Sequence, residues 1–150
     1  GEALVRKHDG VIIRPYTVYG PGDYSGHLIP TVFNSCLTGK SMWIAEDPIH
    51  DYIWVEDLID VYIHAQHSEP KIFEAGTGIA TSNKEVWSMI EALLDKKANV
   101  DQRIEGRVYD SSEWKAPAPV LGKLINMTSL EDGLRNLALD YQYGPQKKNN

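Results

Sequence analysis

The sequence holds a single cysteine, Cys36, in 150 residues. An internal disulfide is therefore excluded, and a reducing, cytoplasmic compartment is the expectation. Cys36 lies in a helix-like stretch, which suits a packed thiol better than a nucleophile. Positive charge is scarce as well: 15 Lys and Arg stand against 21 Asp and Glu, a net charge of −6. No basic patch stands out, and Lys147-Lys148 sits in a polar tail, so no nucleic-acid partner is expected. No apolar run approaches the ~20 residues of a bilayer span, so no membrane is expected either. A charged-then-apolar amino-terminal segment is missing, and with it the expectation of a signal peptide. Internal repeats and low-complexity segments are absent. With 42% hydrophobic and 24% charged residues, the composition is that of a globular domain with a real core.

What is present reads as α/β grammar. Gly1 to His8, "GEALVRKH", is rich in helix formers but has no initiator methionine and no cap before it. It is read as the tail of a helix begun earlier, and the chain as a piece of something longer. Gly10 is expected to end that helix. Val11 to Arg14 then forms a β-branched apolar strand of a parallel sheet buried on both faces, closed by Pro15, which has no N–H for the ladder. Residues 16–26 are expected as loop, and 27–39 as a helix with Pro30 in its first turn and Gly39 at its end.

Met42–Ala45 and Asp51–Trp54 look like two short strands around a polar turn. Val55 to about His67 is amphipathic, with Val55, Leu58, Ile59 and Tyr62 on one face. Lys71–Ala75 is a second strand for the sheet. Ser82-Asn-Lys-Glu85 spells a capping box before the stripe Val86, Met89, Ile90, Leu93 and Leu94, and Thr128-Ser-Leu-Glu131 spells another. Residues 96–127 read as irregular. Leu130, Leu134, Leu137, Ala138 and Tyr141 make a last helix face, and 144–150 is expected to be a disordered tail.

Several patterns invite chemistry. Gly76-x-Gly78 follows a strand, but a dinucleotide fingerprint needs a third glycine where Thr81 stands, so a turn is expected. His64 and His67 share a helix face without an obvious third ligand, and no metal site is expected. Asp47, His50 and Asp51 cluster in one turn, where they either orient a phosphate or sugar hydroxyl or simply solvate a hairpin. Tyr143-x-x-x-Lys147 has a dehydrogenase spacing, but Gly144 and Pro145 forbid the helical turn that would bring the pair together. No catalytic residue is assigned. The loop after Arg14 is the best-placed feature. Parallel sheets bind ligands at the carboxyl ends of their strands, where Tyr16, Thr17 and Tyr19 begin. An aromatic, hydroxyl-bearing loop there can touch a flat ring or a sugar.

Five segments, in order, carry a family resemblance. "RPYTVYGPGDY" at 14–24 resembles the Arg-Pro-x-Asn-Val-Tyr-Gly-Pro-Gly segment of the extended short-chain dehydrogenase/reductases, the NAD-dependent nucleotide-sugar epimerases and dehydratases. "HLIP" at 27–30, "HDYIWVEDLIDVYIHA" at 50–65, "IFEAGTGIATSNKEV" at 72–86 and "TSLEDGLRN" at 128–136 are similar to later segments of that family. The resemblance implies the carboxyl-terminal part of such an enzyme over residues 1–143. The fold would be the last strands of a Rossmann-like parallel sheet plus a small mixed α/β substrate-binding subdomain. The glycine-rich loop and the catalytic Tyr-x-x-x-Lys helix would precede it.

The implied cofactor is NAD or NADP, and the implied partner is a nucleotide sugar, with a homodimer expected because the partial sheet would leave edges uncovered. By the same resemblance Pro15 and Tyr16 would lie beside the nicotinamide. Thr17, His27, Leu28 and His50 would contact substrate. Arg107, with Arg103 near it, would bind phosphate. Thr17, His27 and His50 stand where the family carries Asn, Asn and Arg, and Glu46 where it often has glycine. A non-catalytic nucleotide-sugar-binding or interaction module is the alternative reading.

Overall fold

The computed structural model describes residues 1–45, 48–69, 71–104, 114–117 and 125–143. The chain is α/β. It opens with helix α1 (Glu2–Lys7), whose end differs from expectation: Asp9 takes the left-handed backbone (φ 51), while Gly10 donates its N–H to Val5 O at 3.0 Å. Strand β1 (Ile12–Pro15) carries Pro15 as its last paired residue, and Tyr16 N–H resumes the ladder by donating to Ala75 O at 3.0 Å. Strand β5 (Ile72–Ala75) runs parallel to β1 in the register Ile12↔Ile72 to Pro15↔Ala75. The cross-strand pair Arg14↔Glu74 is tied by an ion pair of 2.7 Å.

The segment expected as loop contains a short strand, β2 (Thr17–Tyr19), parallel to β4 (Ile49–Trp54). Strand β6 (Ala80–Ser82) pairs antiparallel on the other edge of β4, giving a mixed sheet ordered β2-β4-β6. Strand β3 (Met42–Ala45) does not pair with β4 as a hairpin would; it runs parallel to β7 (Val100–Ile104), inside the stretch read as irregular. A parallel two-stranded Rossmann-like sheet thus stands beside a small mixed α/β subdomain.

Helix α2 (Leu28–Thr38) ends at Gly39 with φ 74, a conformation that costs little only in glycine. Helix α4 (Asn83–Leu94) starts with a formed capping box: Ser82 Oγ accepts from Glu85 N–H at 3.2 Å, and Glu85 Oε2 accepts from Ser82 N–H at 2.7 Å. Helix α5 (Leu130–Tyr143) is capped one residue later than expected, with Ser129 Oγ accepting from Asp132 N–H at 3.1 Å. Thr128 is drawn away by Asp57, whose two carboxylate oxygens accept from Thr128 N–H at 2.7 Å and Oγ1 at 2.9 Å.

Two cores result. One packs α2, α4 and α5 around Phe33, Ile44, Ile90 and Leu134; Cys36 belongs to it, and burial pushes its thiol pKa up. The other packs Leu58, Val61 and Ala65 of helix α3 (Val55–Ala65) onto Ile53, Phe73 and Ala75. The buried face of α3 is therefore not the expected one. Ile59 and Tyr62 point outward, 52% and 50% exposed, beside Ile63 at 54%. On α4, Met89 is likewise partly exposed while Val86, Ile90 and Leu94 are buried. The expected tail at 144–150 lies outside the described residues.

Candidate functional site

Two clefts gather most of the residues nominated from the sequence. The first, about 530 Å³, lies at the carboxyl ends of β1 and β5 and is lined by Pro15, Tyr16, Glu74, Trp114 and Lys115 among others. The Tyr16 ring meets Trp114 edge-on at 6.3 Å. Burial, with the nearby carboxylates of Glu74 and Asp51, raises the Tyr16 pKa and keeps its hydroxyl protonated. Arg14 lies on the same wall, held by Glu74 and, at 2.6 and 2.8 Å, by both oxygens of Glu2. That guanidinium pulls the Glu2 carboxyl down to about 2.

The second cleft is larger, about 850 Å³, and lies between β2, the start of α2, β3 and β4. Thr17, His27, Leu28 and His50 all line it. Thr17 comes from β2, opposite Tyr52 on β4. His27 is the residue before α2, and its ring Nδ1 lies 2.7 Å from Asp23 Oδ1. Leu28 opens the helix, and its partly buried side chain packs on the larger core. His50 comes from β4, its ring edge-on to Tyr52 at 6.1 Å. Arg107 lies outside the described residues, as do Glu46 and Asp47. Arg103 is described, on β7, with its guanidinium 5.7 Å from the Trp87 ring, and does not line this cleft.

The segment 114–117 lines the first cleft and runs beside His50 of the second. Trp114 backbone accepts from Asp51 N–H at 2.9 Å and donates to Ile49 O at 3.4 Å, placing it alongside His50, while its ring reaches Tyr16. No sequence signal marks Trp114, because its role depends on a pairing more than sixty residues distant. Lys40 and Trp43 also line the larger cleft and were not singled out. Asn83 makes its floor: it accepts from the Tyr52 hydroxyl at 3.1 Å and donates to Ala45 O at 2.8 Å. Burial raises the Tyr52 pKa, so that hydroxyl stays a donor.

Asp51 answers the question left open for its cluster. It is fully buried and touches no cleft. Its Oδ1 accepts from Thr77 N–H at 2.8 Å and Thr77 Oγ1 at 2.6 Å. Its Oδ2 accepts from Gly78 N–H at 2.8 Å and Ala116 N–H at 3.0 Å. A Cβ on Gly76 would stand 2.5 Å from Asp51 Oδ2, which is why that position carries none. The N–H groups of Thr77 and Gly78 are thus spent on a carboxylate and that of Gly76 on Glu74 O, and the turn does not fit a dinucleotide phosphate. The His64 ring lies edge-on to Phe73 at 6.1 Å. Among the described residues, no group of three or more His, Cys, Asp or Glu is placed to hold a metal ion, and no helix is long and apolar enough to cross a membrane.

With that geometry in view, comparison with known proteins decides the family. The sequence pattern described as the NAD dependent epimerase/dehydratase family matches residues 2–76, half of the chain. The chain belongs to this family. No curated protein sequence matches it significantly. Solved structures do. TunA, described as an NAD dependent NDP-hexosamine 5,6-dehydratase of tunicamycin biosynthesis, is 22% identical, with a TM-score of 0.77 over 97% of this chain and 51% of its own. The UDP-glucose 4-epimerase of Thermotoga maritima, solved with UDP-glucose, is 20% identical, with a TM-score of 0.76 over 94% of this chain and 48% of its own. The dTDP-glucose 4,6-dehydratase of Bacillus anthracis, solved with NAD, is 22% identical, with a TM-score of 0.76 over 93% and 47%. At such identities the likeness speaks for the fold. The chain spans about half the length of these structures.

Proposed function

We propose that this chain forms the nucleotide-sugar-binding portion of an NAD(P)-dependent epimerase or dehydratase. One observation carries the reading: Thr17, His27, Leu28 and His50, from β2, α2 and β4, line one cleft large enough for a nucleotide sugar. Family membership and the fold shared with nucleotide-sugar enzymes support it. In this reading the apolar Leu28 and Trp43 flank the ring systems of the ligand. His27, His50 and Lys40 face its diphosphate, and Thr17 offers a hydroxyl to the sugar. Pro15 and Tyr16, in the adjoining cleft, face the nicotinamide end of the cofactor; the protonated Tyr16 hydroxyl and the Trp114 ring fit a planar, uncharged edge there. The cofactor, when bound, supplies hydride transfer to and from a sugar carbon. The glycine-rich phosphate loop and the tyrosine base of that chemistry belong, in this proposal, to a part of the protein beyond this chain. Arg107 is proposed as a further phosphate contact.

Self-association is part of the proposal. Ile59, Tyr62 and Ile63 form an outward apolar stripe on α3 that a second copy would cover. Light scattering on the full natural protein tests it, with a monomer at micromolar concentration the opposing result. The binding assignment is tested by isothermal titration with UDP-glucose and dTDP-glucose. Saturable binding that Thr17→Val and His50→Ala each weaken by about tenfold supports it. Absence of binding to any nucleotide sugar at millimolar concentration would reject it.

A further inference from the structure

We infer that Trp114 couples the two clefts: a nucleoside diphosphate in the larger one tightens the hold of the smaller one on the nicotinamide end of the cofactor, and the reverse. The inference rests on the nucleotide-sugar reading above and adds a regulation of that same site.

A closed circuit of contacts carries it. Tyr16 lines the first cleft, and Thr17, the next residue, lines the second. Thr17 sits on β2 opposite Tyr52 of β4. Further back along β4, His50 lines the second cleft and is bridged, in parallel register, to Trp114. The Trp114 ring returns to Tyr16, edge-on at 6.3 Å. Neighbouring members of this circuit are bonded, paired in a sheet or in ring contact, so a shift at one is felt at the next.

Trp114 is the member with room to move. Its main chain is anchored. Its carbonyl accepts from Asp51 N–H at 2.9 Å, and Ala116, 2% exposed, donates its N–H to Asp51 Oδ2 at 3.0 Å. Its side chain is not enclosed, the residue being 58% exposed. An edge-on ring contact with one partner in solvent is a weak tie, so the ring docked on Tyr16 is only modestly favoured over one turned outward. The result is a two-position side chain on a fixed base, biased from both clefts. A ligand in the first cleft holds the ring by contact. A diphosphate beside His50 steadies the strand edge along which the Trp114 main chain lies. Each ligand therefore meets a wall that the other has already ordered, which makes the coupling positive. It is also reciprocal: the factor that one ligand lends the other is returned unchanged.

The test is isothermal titration of the full natural protein, freed of bound nucleotide, with NAD and with UDP, each alone and each with the other saturating. UDP carries the diphosphate but no sugar to reach the nicotinamide, so its effect on NAD passes through the protein. We expect each ligand to bind about fivefold or more tightly beside the other, by the same factor in both orders. Trp114→Ala should bring that factor to about one. It should leave the affinity for UDP alone within about twofold, because Trp114 lines the first cleft and not the second. A merely structural role would lower both affinities and spare the factor. A second readout stands even if Trp114→Ala does not fold: energy transfer from tryptophan to bound NADH should rise when UDP is added, and Trp114→Phe should remove the rise. A factor under about twofold in the natural protein, a factor that Trp114→Ala leaves unchanged, or energy transfer indifferent to UDP overturns the inference and leaves the nucleotide-sugar reading intact. Binding of UDP without any binding of NAD overturns it as well. No binding of UDP under any of these conditions overturns both.

Discussion

Replacing Asp51 by alanine is the sharpest structural perturbation available. Three backbone N–H groups, from Thr77, Gly78 and Ala116, and the Thr77 hydroxyl all end on this one buried carboxylate. Hydrogen bonds to a charged group contribute about 1.5–3 kcal/mol each, but donors released near the surface recover part of that from water. The turn at 76–78 is half-buried, so we expect a net loss of about 3–5 kcal/mol, within the range of large single-site effects. Asparagine keeps the shape but turns an NH2 group toward N–H donors, so Asp51→Asn should lose at least about 2 kcal/mol. In a protein of this size or larger, 3 kcal/mol corresponds to a Tm lower by about 10 °C. Urea unfolding followed by circular dichroism measures the loss, with Asp101→Asn, at an exposed position, as a control expected to stay within about 0.5 kcal/mol. A loss below about 1 kcal/mol for Asp51→Ala would refute the view that this carboxylate holds strand, turn and linking segment together.

Other expectations follow from the same contacts. Gly76→Ala should lower the urea midpoint, because its Cβ would meet Asp51 Oδ2 at 2.5 Å and Ala116 Cβ at 2.9 Å; an unchanged midpoint would mean that both neighbours yield freely. Ser82→Ala removes the capping box of α4 and should cost about 1 kcal/mol in the same assay. Glu2, held down to about 2 by Arg14 from an ordinary 4.5, contributes stability that is present above about pH 4.5 and lost as pH falls through about 2. Glu2→Gln should therefore flatten the acid limb of the stability profile, and the variant and parent should converge below that lower pH.

Much of this was legible in the sequence where the signal is local. The helix at 28–38 is announced by its apolar spacing and closed by Gly39, and the Ser82–Glu85 box marks the start of α4. The parallel partners are readable too, β1 as a β-branched run after a short turn and β5 as a short run ended by Gly76. Signals that depend on distant partners were not legible. Thr17–Tyr19 is three residues between Tyr16 and Gly20, and becomes a strand only because Tyr52–Trp54 lies alongside. The hairpin expected at 42–54 dissolves because β7 and β2 offer each strand a parallel neighbour. Helix α3 is apolar on more than one side, so its period does not say which side is covered; packing chose Leu58, Val61 and Ala65.

The candidate site divides in the same way. Tyr16 and Thr17 were nominated from the loop that follows β1 and His50 from its turn, each again through the family resemblance, and His27 through the resemblance alone; Thr17, His27 and His50 share the larger cleft. Lys40, Asn83 and Trp114 carry no local mark and emerge only when β3, α4 and the 114–117 segment are brought in. Asp51 sat in a nominated cluster, yet its role is internal. Alternation along β4 turns it away from His50, and nothing in the sequence says which side of that strand faces the cleft.

The central claim is that one cleft, built from β2, the start of α2 and β4, holds a nucleotide sugar. The most direct measurement is a crystal structure of the full natural protein soaked with UDP-glucose. The account predicts density for the diphosphate within hydrogen-bond reach of His27 and His50, with the ligand enclosed by Leu28 and Tyr52. Density elsewhere on the molecule, or a ligand that leaves both histidines untouched, would contradict it.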